Sequence, residues 1–252
     1  MKAKLERLGL RALLAGSIVM FASTVQAADI TVMSDVPLQP ALTKVVERYR
    51  QQTHNQVSMV FDPSPAVKKR IEAGEAADVV IVQPDFAEDL TKSGKAIPGD
   101  RAIFAHVGVG LGNREDSPAH DISTVEKLRN TLLGADLVAF NNVKSGQAFA
   151  SALDRMGIAD ALKPRIVRTS PTGIFEPVLK GKGNDFVAGT IPLIATTRGI
   201  KLLGPLPGDL QSTLSYTAVL MAQTRERDAA EGFIEFLSSP EAQKTFAANG
   251  AK

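Results

Sequence analysis

Short apolar runs alternate with helical patterns along most of this chain, and that alternation restricts its fold more than any other feature. Residues 30–33 form the first run. Leu38, Ala41, Leu42, Val45, Val46 and Tyr49 then fall on one face of a helix. Residues 57–61 form a second run. A helix is expected over 65–73, with Ser64 as its cap and Pro65 in its first position. Residues 79–82 read as a buried strand, and a helix follows near 86–90. Strands that take turns with helices predict an α/β fold with largely parallel strands. The pattern changes at 102–111, a long strand punctuated by glycine and followed by a polar loop over 113–120. Ser123 and Glu126 then suggest a capping box for a helix ending near Leu133. Further strands are expected at 137–140, 165–168, 185–188 and 201–203, with a helix over 147–156 among them. A second long strand spans 213–222, and helices over 228–237 and 240–248 close the chain. Two long strands that bracket a middle block predict two chain crossings and two lobes. One lobe is expected over 28–103 plus 217–252 and the other over 104–216. A ligand cleft would lie between them.

The start of the chain reads as a secretory leader. Lys2, Lys4, Arg7 and Arg11 precede an apolar run over 13–22, and Val25-Gln26-Ala27 offers a cleavage site. The run is shorter than the roughly 20 apolar residues that a spanning helix needs. A signal peptide over 1–27 and a periplasmic location are therefore expected. The leader also decides the charge balance. The chain has 29 Lys+Arg and 27 Asp+Glu, and removing the leader's four basic residues and Glu6 leaves a net charge of −1. A nucleic-acid-binding domain normally carries a basic excess, so that class is excluded. With no cysteine, thiol catalysis, disulfides, Cys-ligated zinc and a lipid-anchoring Cys are all excluded. A freely soluble monomer is expected.

Several tempting motifs fail on context. Gly108-Val109-Gly110-Leu111-Gly112 is followed by loop residues, whereas a dinucleotide fingerprint opens a helix. It reads instead as a flexible crossing strand. Lys180-Gly181-Lys182-Gly183 lacks the Gly-Lys-Ser/Thr ending of a phosphate-binding loop and reads as a turn. His54, His106 and His120 have no second metal ligand at helical spacing, so no metal site is expected. No Gly-x-Ser-x-Gly elbow is present, and no cofactor is implied.

The informative residues are hydroxyls that follow strands. Ser34, Ser64, Ser145, Thr169, Ser170, Thr172 and Thr190 all fall where a strand ends, several of them at the start of a helix. Carboxyl ends of strands line the ligand crevice in open α/β sheets. Helix starts there offer unpaired N–H groups and a positive dipole end. Together they suggest an anion site.

At these residues the chain resembles the type-2 periplasmic solute-binding proteins and, within them, the molybdate-binding group. The resemblance covers essentially all of the chain after the leader. It is carried by 30–42, by 61–82 with Glu72-x-Gly74-x-x-Ala77-Asp78-Val79, by 144–156, and by 233–250 with Phe236-Leu237-x-Ser239-Pro240-Glu241-Ala242-Gln243-Lys244. It implies oxyanion contacts from Ser64, from Ser145 and from the main chain near Thr172. Pro37 stands where the group has a serine, with Ser34 nearby, and Thr190 stands where it has a tyrosine. The chain is also similar to aconitate isomerases built on this fold, through Pro63-Ser64, Ser145-Gly146, Pro171-x-Gly173 and the stretch from Leu206-Pro207 to Tyr216. That likeness implies a polycarboxylate ligand and proton-transfer chemistry. Lys144 and Arg168 are the cations best placed for carboxylates, and Asp35, Asp62 and Lys144 are candidate bases. The resulting expectation is a binding protein that closes on a polycarboxylate or an oxyanion, with hinges near 104–110 and 213–221, and delivers it to an inner-membrane ABC transporter. The alternative is an isomerase of the aconitate type that uses the same cleft.

Overall fold

The computed structural model describes residues 27–99 and 102–252. The expected leader lies outside the described residues except for Ala27. Among those described, the elements run β1 (Asp29–Ser34), α1 (Gln39–Thr53), β2 (Gln56–Phe61), α2 (Ser64–Glu72), β3 (Val79–Val82), α3 (Pro84–Lys92), β4 (Ile103–Arg114), α4 (Val125–Leu133), β5 (Leu137–Asn141), α5 (Lys144–Arg155), α6 (Ala159–Leu162), β6 (Ile166–Thr169), α7 (Glu176–Lys180), β7 (Asp185–Thr190), α8 (Ile191–Thr196), β8 (Ile200–Pro205), β9 (Thr213–Leu220), α9 (Arg227–Leu237) and α10 (Pro240–Ala248).

The strands form two groups joined through β4. β1 pairs in parallel with β2 and β3, and β5 pairs in parallel with β6 and β7. The long strands supply the antiparallel joints. β9 lies beside β3, and residues 103–108 of β4 pair with β9. From Val109 onward β4 turns to the other group and pairs with β7 and β8. The chain thus crosses between groups once along β4 and returns between β8 and β9. This is the α/β architecture that the alternation predicts, with the two lobes and two crossings expected from the two long strands.

The expected polar loop begins two residues later than Asn113. β4 runs to Arg114, because Asn113 pairs with Phe186 and Lys201 and its side-chain amide donates to Pro118 O at 2.9 Å. Arg114 also pairs with the buried Asp185 at 3.2 Å. The glycines of β4 have a packing role that a flexible strand would not need. Residues 108, 110 and 112 share one face. A Cβ on Gly112 would sit 2.6 Å from Ile194 Cγ2, and one on Gly110 would sit 2.8 Å from Gly204 O. Bare backbone on that face lets α8 and β8 press against the crossing strand.

Two caps differ from expectation. Pro63 precedes α2 and its carbonyl accepts from Ala66 and Val67, so Ser64 is a helical residue whose hydroxyl is free for other work. Thr124, not Ser123, caps α4, and its hydroxyl accepts from Lys127 N. The helix faces match the pattern. Ala41, Leu42, Val45, Val46 and Tyr49 are buried, and Tyr49 meets Phe233 edge-on at 5.1 Å while donating to Ala229 O. That contact ties α1 to α9. All four residues of β3 are buried, as a central strand covered on both faces requires.

Candidate functional site

A cavity of about 270 Å³ opens between the two strand groups. Its floor and walls come from the ends of strands. Asp35 follows β1, Ser64 opens α2 and Gln83 follows β3. From the other group come Asn141 at the end of β5, Lys144 and Ser145 at the start of α5, and Thr190 at the end of β7. Leu214 and Tyr216 on β9 close the back. Much of the remaining wall is apolar, including Pro37, Pro65, Phe86, Pro171, Ile174 and Leu193.

Asp35 dominates the electrostatics. It is 5% exposed, and burial raises its pKa to about 6. Hydrogen bonds from Ser64 and the backbone N–H of Val36 oppose that rise. Ser64 Oγ donates to Asp35 Oδ2 at 2.5 Å and Gln83 Nε2 donates to the same oxygen at 3.3 Å. Tyr216 lies beside this carboxylate. Burial, and then the Asp35 charge, hold its phenol well above the ordinary range, so it stays a neutral donor.

Two polar atoms in this one cavity, Gln83 Oε1 and Thr190 Oγ1, are buried without a hydrogen-bond partner in the protein, and the buried Tyr216 OH has no close one, leaning only on Asp35 and Gln83. Buried polar atoms are nearly always partnered, so such a cluster points to groups completed by a ligand.

The start of α5 is held by Asn141. Its Oδ1 accepts from Val143 N at 3.2 Å and Gly146 N at 3.0 Å, and its amide contacts Ser145 Oγ at 3.1 Å. A Cβ on Gly146 would fall 1.8 Å from Asn141 O, so only glycine fits there. The first N–H groups of the helix, at Lys144 and Ser145, have no intrahelical acceptor. Lys144 reaches across the cleft mouth to Asp85 on α3 at 2.6 Å and lies 5.4 Å from the Phe86 ring. Both partners are about half exposed, so the pair contributes little to stability.

Of the residues expected at the site, the fold brings together Ser64, Lys144, Ser145 and Thr190. Ser34 is fully buried behind the wall, where its hydroxyl donates to Asp35 O at 3.2 Å. Arg168 stacks on Phe140 at 3.9 Å and donates to Asn141 O at 3.1 Å, away from the cavity. Thr172 is exposed, although its neighbours Pro171 and Ile174 line the wall. Among the candidate bases, Asp62 is bound to Arg70 at 2.5 Å outside the cavity. Gln83, Asn141 and Tyr216 were not anticipated as wall residues. The first two are polar residues at the carboxyl ends of strands, which is the signal that could have found them. None of the three histidines lines the cavity, and no metal-ligand cluster occurs among the described residues.

Two groups of parallel strands, joined by antiparallel crossings around a cleft of strand ends, define a two-lobed solute-binding fold. Residues 30–252 match the bacterial extracellular solute-binding protein family, and the chain belongs to it. It is 25% identical to an aconitate isomerase from a Pseudomonas species, over 99% of this chain and 97% of that one. It is 24% identical to the molybdate-binding protein ModA of Azotobacter vinelandii, over 92% of each. Among solved structures, the Azotobacter vinelandii periplasmic molybdate-binding protein superposes with a TM-score of 0.75 at 21% identity, covering 88% of this chain and 98% of that one. The tungstate ABC transporter structure from Geobacter sulfurreducens gives 0.67 at 14% identity, covering 88% and 100%. No helix among the described residues is long and apolar enough to cross a membrane.

Proposed function

We propose that this protein is a monomeric periplasmic solute-binding protein that closes on a small anion and presents it to an inner-membrane ABC transporter. Residues 1–27 act as a cleaved signal peptide. The lobes are close to 28–103 plus 217–252 and 104–216, with the return crossing between β8 and β9, a few residues before that second boundary. The switch of β4 partners at Gly108–Val109 supports a hinge there, a few residues beyond the first boundary. The observation that carries the reading is the convergence of Gln83 and Thr190, each with an unpartnered buried polar atom, and of the buried Tyr216 OH on a cavity that also receives the starts of α2 and α5. Ser64, Ser145 and Thr190 contact the ligand and Lys144 balances its charge. Ser34 and Arg168 support the wall from behind, and Thr172 acts through its loop. No cofactor takes part. The molybdate, tungstate and aconitate named for the relatives bracket the ligand class as oxyanions and polycarboxylates. The apolar wall favours an organic polycarboxylate, whose carbon skeleton can cover Ile174, Leu193 and Leu214.

Thermal unfolding against molybdate, sulfate, citrate, tricarballylate and the two aconitates tests this reading. A ligand at 100 times its Kd adds about 2.7 kcal/mol, which at this size raises Tm by roughly 5–10 °C. A shift with polycarboxylates supports the organic ligand. A shift with oxyanions alone moves the assignment to that class, and no shift removes both.

One observation favours a second reading. Asp35 is a buried carboxylate of raised pKa inside the cavity, which suits a base that moves a proton along an allylic carboxylate. An isomerase would incorporate deuterium from D2O into cis-aconitate and form the trans isomer, whereas a binding protein does neither.

A further inference from the structure

The Ser64 hydroxyl carries a single hydrogen, and that hydrogen is committed. Its oxygen sits 2.5 Å from Asp35 Oδ2. An ionised carboxylate only accepts, so the hydrogen must lie between the two oxygens. Ser64 then offers the cavity lone pairs alone. Gln83 is turned the same way, with its amide N–H toward Asp35 and its Oε1 left without a partner. An anion also presents lone pairs, so this side of the cleft opposes a fully deprotonated ligand as long as Asp35 is charged. Among the described residues, Lys144 is the one cation in the cavity wall, and Asp85 holds it at 2.6 Å.

A proton on Asp35 reverses the polarity. The carboxylic acid then donates to Ser64 Oγ, and the Ser64 hydrogen turns to the cavity as a donor beside Thr190, Ser145 and Tyr216. We propose that the cleft takes its anion together with one proton, held on Asp35 and relayed through Ser64, so that Ser64 grips the ligand only when Asp35 is an acid. This rests on the reading of the cleft as an anion site. No bond other than O–H is made or broken, since the proton comes from solvent or from the ligand. The other titratable groups at the cavity are Tyr216 on β9, whose phenol burial holds well above the ordinary range, and the Lys144–Asp85 pair between α5 and α3. Asp62, before α2, is bound to Arg70 outside the wall. Burial has already raised the Asp35 pKa to about 6, so the proton is within reach near physiological pH.

Titration calorimetry with tricarballylate, trans-aconitate and molybdate, in paired buffers of different ionisation enthalpy, tests the coupling. With Asp35 titrating near 6, about one molecule in ten holds the proton at pH 7, so apparent affinity should fall roughly tenfold per pH unit above that point. Close to one proton should enter per anion bound at pH 7. In Asp35→Asn the amide donates to Ser64 permanently. Proton uptake should vanish, and binding should tighten roughly tenfold at pH 7 and a hundredfold at pH 8. Ser64→Ala should weaken binding at pH 5.5 and leave it nearly unchanged at pH 8. Binding without proton uptake, or an unchanged pH slope in Asp35→Asn, overturns the coupling and leaves the anion site standing. Failure of every probe to bind either protein at pH 5.5 overturns the anion site and the coupling with it. Carboxyl 13C NMR of the free protein gives a ligand-free check. An Asp35 signal titrating near 6 agrees with the proposal, and one titrating below about 4.5 contradicts it.

Discussion

Replacing Asp35 by asparagine should stabilise the protein, and by an amount that depends on pH. Asp35 titrates near 6 in the folded state against 3.8 for an unperturbed aspartate. The folded protein therefore holds this proton more tightly than the unfolded chain. The stabilising contribution is complete below pH 4 and is lost as pH rises through 6. A shift of about two units corresponds to about 3 kcal/mol. Asparagine is neutral throughout, so the stability of Asp35→Asn relative to the parent should grow by about 3 kcal/mol between pH 4 and pH 8. Urea unfolding of both proteins at the two pH values measures that growth. Any constant cost of seating the amide against Ser64 cancels in the comparison, as do exposed carboxylates such as Asp121, which Lys127 holds low in both proteins. A difference that stays flat, or that shrinks as pH rises, would refute the account of Asp35 as a carboxylate burdened by burial.

The other expectations concern the cavity wall. Thr190→Val removes a buried hydroxyl that has no partner in the protein, so the ligand-free protein should gain about 1 kcal/mol in denaturant unfolding. The same variant should bind the anion about tenfold more weakly by calorimetry. Gly146→Ala drives a methyl into Asn141 O and should cost about 3 kcal/mol in thermal unfolding while displacing the start of α5. Lys144→Met should change stability by less than about 0.5 kcal/mol, because its partner is exposed, yet lower anion affinity about tenfold. Asp85→Asn should raise that affinity by freeing Lys144.

The fold was legible because its signals are periodic. The α1 face from Ala41 to Tyr49 and the unbroken apolar run of β3 need only hydrophobic spacing to be recognised. The site was legible where a residue type coincides with a strand end, as with Ser64, Ser145 and Thr190. It was not legible where the role depends on which strands become neighbours. Tyr216 faces the cavity only because β9 lies between β3 and β4. Arg168 looks well placed in sequence, but the ring of Phe140 on the adjacent strand draws its guanidinium aside. Adjacent candidates are also hard to separate by type alone, which is why Thr124 and not Ser123 caps α4. Ser64 illustrates the finer limit. A serine before a helical pattern reads as a cap, and only the fold shows its hydroxyl turned to a carboxylate 29 residues away.

The central claim is that one small anion sits between the lobes. A crystal structure of the protein grown with tricarballylate at pH 5.5 tests it most directly. The account predicts a single anion in the cavity, accepting hydrogen bonds from Ser64, Ser145, Thr190 and Tyr216. An anion bound elsewhere, or the cavity filled only by water at saturating ligand, would contradict it.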